Sequence, residues 1–476
     1  MITSVPESAS EAPYEAPLPP TPLSWRLGIA AGVVLLAMAT YGLHGQFGET
    51  SRPRFQAGMG ILCFLGVAAC FSKSLQSVRL KTLLWGLGLQ FALAVAVLHS
   101  EWVYAGFKVV GAGIKYLIEA SDKGAEFVFG PLAKPGEMDK VFGKGNGFVF
   151  AFKALPPIIF VSAFFSVLYY LGVLQFFVRL MARAMMYVMG TSGAETLSVA
   201  ANVFMGQTEA PLIVKPFVPR MTRSELLALM GSGMAHISGG MMAVYISYGA
   251  DPVAILCTCV MACPASLYLT KLILPEAGRP ATMGETKIDV KTPYVNVIDA
   301  AAGGVKDGLW LALNVAAMLI AFLAFIALFN SMIGGLKPAL ANAGIAPERL
   351  EWWADDLSLE MIFGRIFEPA AFLIGVEPRD TRKVGTLLGI KLAANEHVAF
   401  LELKGWPKDD LTDRSRTLAV FALTGFANFA SIGIQLGGIG ALAPDRRADL
   451  AKLGMKALLV GFLATLLNAA IAGLLM

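Results

Sequence analysis

The stretch ANVFMGQTEAPL, residues 201–212, places a polar run in the middle of an apolar segment that extends over residues 191–218. A second apolar segment, residues 380–402, carries a similar polar run in KLAANEHVAF, residues 391–400. A continuous membrane span would leave these runs in lipid, where unpaired polar groups are not tolerated. Each segment is therefore predicted to be a re-entrant hairpin, in which two half-helices meet at an irregular polar tip.

Each hairpin is followed by a span that small and polar residues interrupt. These interruptions are GSGMAHISGG at residues 231–240 and GFANFASIG at residues 425–433, and an unbroken span follows each of them. The order of hairpin, broken span and intact span thus occurs twice. Interrupted helices at corresponding positions of two halves are typical of secondary transporters, whose site lies at the interface between the repeats. The sequence therefore predicts an all-α polytopic membrane protein with an inverted-repeat transport domain.

The composition also identifies a membrane protein. Of the 476 residues, 56% are apolar and 15% are charged, whereas a soluble chain carries about 25% charged residues. The mean hydropathy is +0.65. Apolar segments of about 20 residues predict about eight transmembrane helices, besides the two hairpins and some interfacial helices. The predicted organisation is a disordered tail at residues 1–24, N-terminal transmembrane helices at 25–100, interfacial helices at 101–147, a first repeat at 148–275, a polar loop at 276–308 and a second repeat at 309–476.

Charge, cysteine and histidine content exclude several classes of function. The net charge of +4 is not gathered into a basic block, so nucleic acid is not expected as a partner. The five cysteines lie in apolar runs without CxxC spacing, and the four histidines form no HExxH motif. The sequence also has no phosphate-binding loop. It therefore predicts neither an ATP-driven pump nor a zinc enzyme, and no cofactor.

Two acidic residues at the hairpin tips must have partners. A carboxylate at membrane depth costs about 2.5 to 3.5 kcal/mol, and this cost applies to Glu209 in the first hairpin and Glu396 in the second. In the first tip, Gln207, Thr208 and Glu209 combine an amide, a hydroxyl and a carboxylate, which together suit the edge of a heterocycle. The alternative is a helix start that Thr208 caps, with an acid in its first turn.

The second tip and its broken span offer a different set of groups. Glu396 follows Asn395 at the tip, and Asn428 and Ser431 lie three residues apart, on one face of the broken span. A carboxylate that accepts two hydrogen bonds suits the hydroxyls of a sugar. The alternatives are a capped half-helix, an ion pair of Glu396 with Lys391, and an Asn and a Ser that only join helices.

Three strings together resemble one known family. ANVFMGQTEAPL, KLAANEHVAF and GFANFASIGIQLGGIGALAP are similar to signature segments of the concentrative nucleoside transporters, and the similarity extends over about residues 150–476. The resemblance implies a multi-pass protein of the plasma membrane, which in a bacterium is the inner membrane, that forms a homotrimer. It also implies eight transmembrane helices per protomer and an elevator motion that carries the nucleoside site across a fixed scaffold.

The resemblance further implies which residues bind the nucleoside. In such proteins the first hairpin and the following broken span contact the nucleobase, and the second hairpin and its broken span hold the ribose. The implied nucleobase residues are Gln207, Thr208, Glu209 and Met241. The implied ribose residues are Glu396, Asn428 and Ser431.

This sequence departs from the family pattern at a residue that binds the coupling ion. Sodium-coupled members use residues that match Asn202, the carbonyl of Met205, and a Ser or Thr followed by Ile, but here His236 precedes Ile237. An imidazole is a poor ligand for sodium, and it titrates near pH ~6.5. The sequence therefore favours proton symport, in which a protonated His236 beside Asn202 takes the place of the metal ion. The alternative is sodium that Asn202 and backbone carbonyls bind.

Two other functions compete with nucleoside symport. An intramembrane hydrolase would use Glu209, His236 and Glu396 as acid, base and stabiliser. However, no GxSxG motif supplies a nucleophile, and a hydrolase leaves the repeated broken helices unexplained. A passive channel would give a flux without ion dependence. Secondary active transport is therefore the predicted function, and no enzyme activity is expected.

Overall fold

The computed structural model describes residues 14–49, 51–143, 147, 149–284, 294–342 and 358–476. In these ranges the chain forms helices and connecting turns, and no strand occurs in them. Eight of the described helical stretches are long and apolar enough to cross a membrane. The predicted all-α, multi-pass architecture is therefore confirmed.

The chain begins with three helices that match the predicted N-terminal spans. They are α1 (Leu23–Leu43), α2 (Ser51–Cys70) and α3 (Leu80–His99). The stretch predicted to contain interfacial helices follows, as α4 (Glu101–Phe129) and α5 (Pro135–Phe142), and the short helix α6 (Phe150–Lys153) comes after it. Helix α4 is a single helix of 29 residues, and it ends at Gly130, whose φ of +57° favours glycine. It packs against α3 and against helices of the first repeat.

Part of the predicted disordered tail is ordered, which corrects the prediction. Ala16 N donates to Ala277 O at 3.1 Å, and Thr21 N donates to Lys73 O at 3.0 Å. The Thr21 hydroxyl also donates to Ser72 O at 3.0 Å. Prolines fix φ and so reduce the entropy that an extended segment loses on docking, which is why a proline-rich composition did not prevent order here. Residues 1–13 of the predicted tail lie outside the described residues.

The first repeat contains the predicted order of elements. It comprises α7 (Leu155–Tyr170), α8 (Val173–Met189), the first hairpin with α9 (Gly193–Ala201) and α10 (Ala210–Ile213), the broken span with α11 (Arg223–Ala235) and α12 (Gly239–Ser247), and the intact span α13 (Pro252–Ile273). The hairpin tip, residues 202–209, is formed of turns.

The second repeat has the same order. It comprises α14 (Val297–Asn342), α15 (Leu359–Leu373), the second hairpin with α16 (Thr381–Ala393) and α17 (Glu396–Gly405), the broken span with α18 (Asp413–Leu423) and α19 (Phe429–Leu442), and the intact span α20 (Arg447–Leu475). Helix α14 begins within the stretch that was predicted as a polar loop to residue 308. A Cβ on Gly304 would lie 2.6 Å from Ala163 Cα, and one on Gly308 would lie 2.7 Å from Ile159 Cα. These glycines allow α14 to pack closely along α7, which stabilises helix where composition suggested a loop.

Side-chain caps place the breaks of the two broken spans in register. Thr222 caps α11 and Thr412 caps α18. After each break, Ser238 caps α12 and Asn428 caps α19. Ser238 and Asn428 each follow their threonine by 16 residues. Positions in the two broken spans therefore correspond when they are counted from these threonines.

Two groups of helices can be distinguished by their packing. Helices α7 and α14, which we call the scaffold pair, pack along each other. The intact spans α13 and α20 pack against each other and against α11, and α2 and α3 pack on their outside. Helix α12 lies against α7. The first broken span thus lies beside the scaffold pair, and polar residues of both hairpin tips and both breaks, such as Gln207, His236, Glu396 and Asn428, are buried inside protein rather than in lipid.

Candidate functional site

The tip of the first hairpin is bound to the second broken span through Gln207. Its Nε2 donates to Ser431 Oγ at 3.2 Å, and its Oε1 accepts from Gln435 Nε2 at 3.1 Å. Gln435 also donates to Met230 O of α11 at 2.9 Å. The amide of Gln207 therefore both donates and accepts, at a buried position between the two repeats.

The tip of the second hairpin presents a buried carboxylate. Tyr245 Oη donates to Glu396 Oε1 at 2.8 Å, and Asn428 Nδ2 donates to Glu396 Oε2 at 3.0 Å. Asn428 Oδ1 accepts from the backbone N–H of Ser431 at 2.9 Å, so Asn428 also caps α19. The structure thus brings together the three residues predicted to hold the ribose. At the hairpin tip itself, Asn395 Oδ1 accepts from Val398 N at 2.9 Å, so the capped half-helix of the alternative is also present.

The alternative pairing of Glu396 with Lys391 does not form. Nζ of Lys391 donates to Ala422 O at 2.7 Å and to Thr465 Oγ1 at 2.8 Å. Helix α16 directs this side chain toward α18 and α20, whereas Glu396 begins α17 on the other side of the tip. The two side chains therefore bind different partners.

Tyr245 and Gln435 belong to the site, and the sequence reasoning missed both. Each of them follows the threonine cap of its own broken span by 23 residues. Tyr245 of the first repeat bonds the tip of the second hairpin, and Gln435 of the second repeat bonds the tip of the first. Aligning the two repeats on their caps would have identified this crosswise pair.

The other residues predicted to contact the nucleobase do not share the environment of Gln207. The carboxylate of Glu209 accepts from Gly206 N at 2.9 Å. The methyl group of Thr208 lies against Gly438 of α19, where a Cβ would come within 2.6 Å of it. Met241 is buried one turn before Tyr245, in α12. The alternative role of Thr208 as a helix cap is not seen, because α10 has Glu209 at its N-cap and no side-chain cap bond.

Glu209 lines a cavity between the first hairpin and the scaffold pair. The cavity has a volume of about 400 Å³, and Ser162, Tyr294 and Asp307 also line it. Burial, together with the nearby carboxylate of Asp307, raises the pKa of Tyr294 above its ordinary value. Its phenol is therefore neutral at physiological pH and keeps its proton as a hydrogen-bond donor. A polar solute that enters this cavity would meet hydroxyls and carboxylates.

Asn202 has an amide oxygen without a donor. Nδ2 of Asn202 donates to Ser198 O at 3.2 Å and to Ser232 Oγ at 2.9 Å. Among the residues that the structure describes, none donates to Oδ1 of Asn202, and Oγ of Ser198 has no partner there either. A buried acceptor of this kind needs a donor or a cation. Met205 lies three residues further along the same tip.

His236 and Asn202 both contact Ser232. Its Nδ1 lies 2.8 Å from Ser232 O, and its Nε2 lies 3.4 Å from Cys263 Sγ. A carbonyl only accepts, so Nδ1 carries the proton and Nε2 is the acceptor. Both ring nitrogens are thereby engaged, and the ring is directed to α13. Ile237, which follows it, is fully buried.

The three residues of the hydrolase alternative do not form one site. Glu209 is bonded within its own hairpin tip, His236 contacts Ser232 and Cys263, and Glu396 contacts Tyr245 and Asn428. These three sets of partners have no member in common. Within the described ranges, no group of three or more His, Cys, Asp or Glu residues could hold a metal ion.

Three protein-family models match consecutive parts of the chain. The model described as Na+ dependent nucleoside transporter N-terminus matches residues 59–132. The model described as nucleoside recognition matches residues 151–252. The model described as Na+ dependent nucleoside transporter C-terminus matches residues 254–473.

Individual proteins show the same similarity. An uncharacterized transporter of Haemophilus influenzae is 40% identical over 87% of this chain and 96% of its own length. The sodium/nucleoside cotransporter 1 of Rattus norvegicus is 37% identical over 94% of this chain and 67% of its own. Among solved structures, that of CNTnw in an inward-facing substrate-bound state has a TM-score of 0.80 at 37% identity, covering 88% of this chain and 97% of that one.

Proposed function

Because the chain belongs to the concentrative nucleoside transporter family, we propose that it takes up nucleosides by symport with a cation, and that this cation is sodium. The protein is a multi-pass membrane transporter and not an enzyme. The contacts at the candidate site support both the choice of sodium and the role proposed for each residue.

The observation that carries nucleoside binding is the pairing of the two hairpin tips across α19. One tip offers an amide and the other a carboxylate, and Ser431 and Asn428 of α19 bond one tip each. An amide that donates and accepts suits a nucleobase edge, and a carboxylate with two acceptor oxygens suits the ribose hydroxyls. We therefore assign Gln207 to the base, together with Thr208, Glu209 and Met241, which the sequence pattern of the family implies. Glu396, Asn428 and Ser431 are assigned to the sugar.

Sodium is supported by the free acceptor of Asn202 and by the contacts of His236. A hard cation prefers oxygen ligands, and Oδ1 of Asn202 is a buried oxygen with no donor among the described residues. The carbonyls of Met205 and Ile237 are assigned as further ligands. Both ring nitrogens of His236 are occupied by Ser232 and Cys263, so this ring has a packing role. These contacts favour the sodium alternative over the proton symport that the sequence favoured.

The experiment is uptake of labelled uridine by proteoliposomes. An inward sodium gradient should drive accumulation, and replacing sodium by choline at constant pH should abolish it. Asn202→Leu should raise the sodium concentration needed for half-maximal uptake, whereas Asn296→Leu, at an exposed asparagine just before α14, should leave it unchanged. Accumulation in choline that rises as external pH falls, and that a protonophore abolishes, would establish proton coupling instead. Conversion of uridine without accumulation would exclude transport.

We also propose that three copies assemble around the scaffold pair and that the rest of each protomer moves against it. Helix α14 exposes large apolar side chains, including Trp310, Leu313 and Ile320, and these can pack against neighbouring protomers. Native mass spectrometry of the protein released from detergent should give the mass of a trimer. A monomer at all protein concentrations would contradict the assembly.

A further inference from the structure

Lys391 is a fully buried lysine that forms no ion pair within the described part of the chain. It lies in the last turn of α16, and its Nζ donates to Ala422 O and Thr465 Oγ1 at 2.7 and 2.8 Å. The same Nζ lies 5.5 Å from the centroid of the Phe462 ring, a distance typical of a cation–π contact. Three directions around the ammonium therefore have partners, as its three N–H donors require. Burying a lysine costs free energy, so a lysine at this buried position is expected to have a specific role.

The first partner of Lys391 corresponds to a partner of His236. Ser232 and Ala422 each follow the threonine cap of their broken span by 10 residues. Nδ1 of His236 contacts the carbonyl of Ser232, and Nζ of Lys391 contacts the carbonyl of Ala422. Each nitrogen thus binds a carbonyl near the C-terminal end of the first half of a broken span. Such carbonyls have no partner within their own helix.

The second partner of Lys391, Thr465, corresponds to the second partner of His236, Cys263. Cys263 of α13 and Thr465 of α20 each lie 10 residues before the last residue of their intact span. Nε2 of His236 contacts Cys263 Sγ, and Nζ of Lys391 contacts Thr465 Oγ1. Both nitrogen groups therefore join the same two positions of their repeats: the end of the broken span and the middle of the intact one.

The two repeats differ in charge at this place. In the second repeat the bridging group is an ammonium, and it comes from the hairpin. In the first repeat the hairpin contributes Asn202, which bonds the hydroxyl of Ser232 and keeps Oδ1 without a donor among the described residues. The end of a helix carries a partial negative charge that a cation stabilises. Lys391 supplies that cation to α18, whereas the side chains described around the end of α11 supply none.

We propose that the ammonium of Lys391 positions the second hairpin. We further propose that, in the second repeat, this permanently attached cation takes the place that the transported ion has in the first repeat. The ammonium joins α16 to α18 and α20, and Glu396, the first residue of α17, follows Lys391 by five residues. Holding α16 in this way sets the carboxylate of Glu396 between Tyr245 and Asn428. The comparison with the transported ion rests on the proposed function. The positioning role of Lys391 does not depend on which ion the first repeat binds.

Chemical rescue tests this role on the purified full-length protein. Lys391→Ala removes three methylenes and the ammonium, a loss that n-propylammonium matches in size and charge. We expect uridine affinity to fall about 10- to 100-fold, because a charged hydrogen-bonding group is lost. Added n-propylammonium should restore it in a saturable manner, and n-propanol should not. Lys383→Ala, on the same helix and half-exposed in an ion pair with Asp410, should bind uridine like the wild type.

A second variant separates charge from packing. Lys391→Met keeps an unbranched stem without the charge, and it should lose uridine affinity to a similar extent. Affinity at the wild-type level in Lys391→Met would overturn the proposal, as would equal rescue by n-propanol. Variants that unfold and that n-propylammonium does not recover would also overturn it. A wild-type protein that binds no uridine would instead refute the proposed function, so the two failures can be told apart.

Discussion

At the residue scale, the carboxylate of Glu396 is the group of the candidate site that hydrogen bonds from both repeats hold in place. It is buried, and it receives one hydrogen bond from each repeat, from Tyr245 and from Asn428. The sequence alone predicted that this residue needs partners, because of the cost of a carboxylate at membrane depth. It predicted Asn428 beside Glu396 but not Tyr245, since the tyrosine belongs to the other repeat.

Removing the charge of Glu396 should weaken the binding of all nucleosides alike. Glu396→Gln keeps the shape of the side chain but loses hydrogen bonds to a charged group, which are worth about 1.5 to 3 kcal/mol. Uridine and adenosine affinity, measured by binding to the purified protein, should both fall at least ~10-fold. Glu402→Gln, whose carboxylate is exposed and bonds Trp406, is the control. Unequal losses for the two nucleosides would contradict the assignment of Glu396 to the ribose.

Changes around Gln207 should alter the preference among bases instead. Gln435→Leu removes the donor to Gln207 Oε1, so the amide of Gln207 loses the bond that fixes its orientation. We expect the ratio of uridine to adenosine uptake to change by several-fold in competition assays. Asn428→Ser, which keeps a side-chain cap for α19 but removes the amide that donates to Glu396, should lower both uptakes and keep their ratio. Equal shifts of the ratio in the two variants would refute the division into base and sugar residues.

At the element scale, local signals determine where helices start and stop. Thr222, Ser238, Thr412 and Asn428 each accept a hydrogen bond from the backbone N–H three residues later. These caps lie at the start of each half of both broken spans, so the breaks could be located from the sequence. The start of α14 could not, because it depends on how closely glycines in that helix approach α7.

The two flanks of the second hairpin should lie on one side of the membrane. Arg379 precedes α16 and Lys408 follows α17, and both side chains are accessible. In sealed vesicles, Arg379→Cys and Lys408→Cys should react with an impermeant maleimide from the same side only. The five native cysteines are buried or partly buried, and the unsubstituted protein gives the background. Labelling of the two positions from opposite sides would show an ordinary span in place of a hairpin.

The ordered N-terminal segment should stabilise the protein without taking part in transport. Residues 1–58 precede the first match to a family model, yet Thr21 accepts from Leu75 N and donates to Ser72 O. Each lost hydrogen bond costs about 0.5 to 1.5 kcal/mol, so Thr21→Val should lower the Tm by a few degrees. Uridine uptake should stay near the wild-type rate. Tyr14→Ala, at an exposed side chain, is the control, and an unchanged Tm in Thr21→Val would show that the segment is not held by these bonds.

At the scale of the whole molecule, the proposed elevator motion requires the hairpins to move relative to the scaffold pair. Helix α12 contacts α7 through Gly239 and Gly240, and a Cβ on Gly240 would lie 3.2 Å from Ser162 Oγ. That separation is close to what a disulfide needs between a Cβ and the partner's sulfur. This contact is therefore a place at which the two groups of helices can be joined covalently.

The disulfide between Ser162→Cys and Gly240→Cys should stop uptake. Oxidation should reduce the initial rate of uridine uptake to background, and dithiothreitol should restore it, because the proposed elevator motion would separate these helices. Each single variant should be insensitive to oxidant. Uptake that continues in the fully cross-linked protein would show that α12 and α7 stay together during transport, which contradicts an elevator around this scaffold pair.

The sequence by itself determined the elements and their order. Polar runs inside apolar segments, caps and breaks all act within a few residues of the chain, and these local effects define hairpins, broken spans and intact spans. The tertiary structure alone decided which side chains meet. Tyr245 and Glu396 are 151 residues apart, and Gln435 and Gln207 are 228 apart. Such contacts depend on the packing of one repeat against the other, which no local pattern encodes. For the same reason His236 faces Cys263, and Lys391 faces Thr465 rather than Glu396.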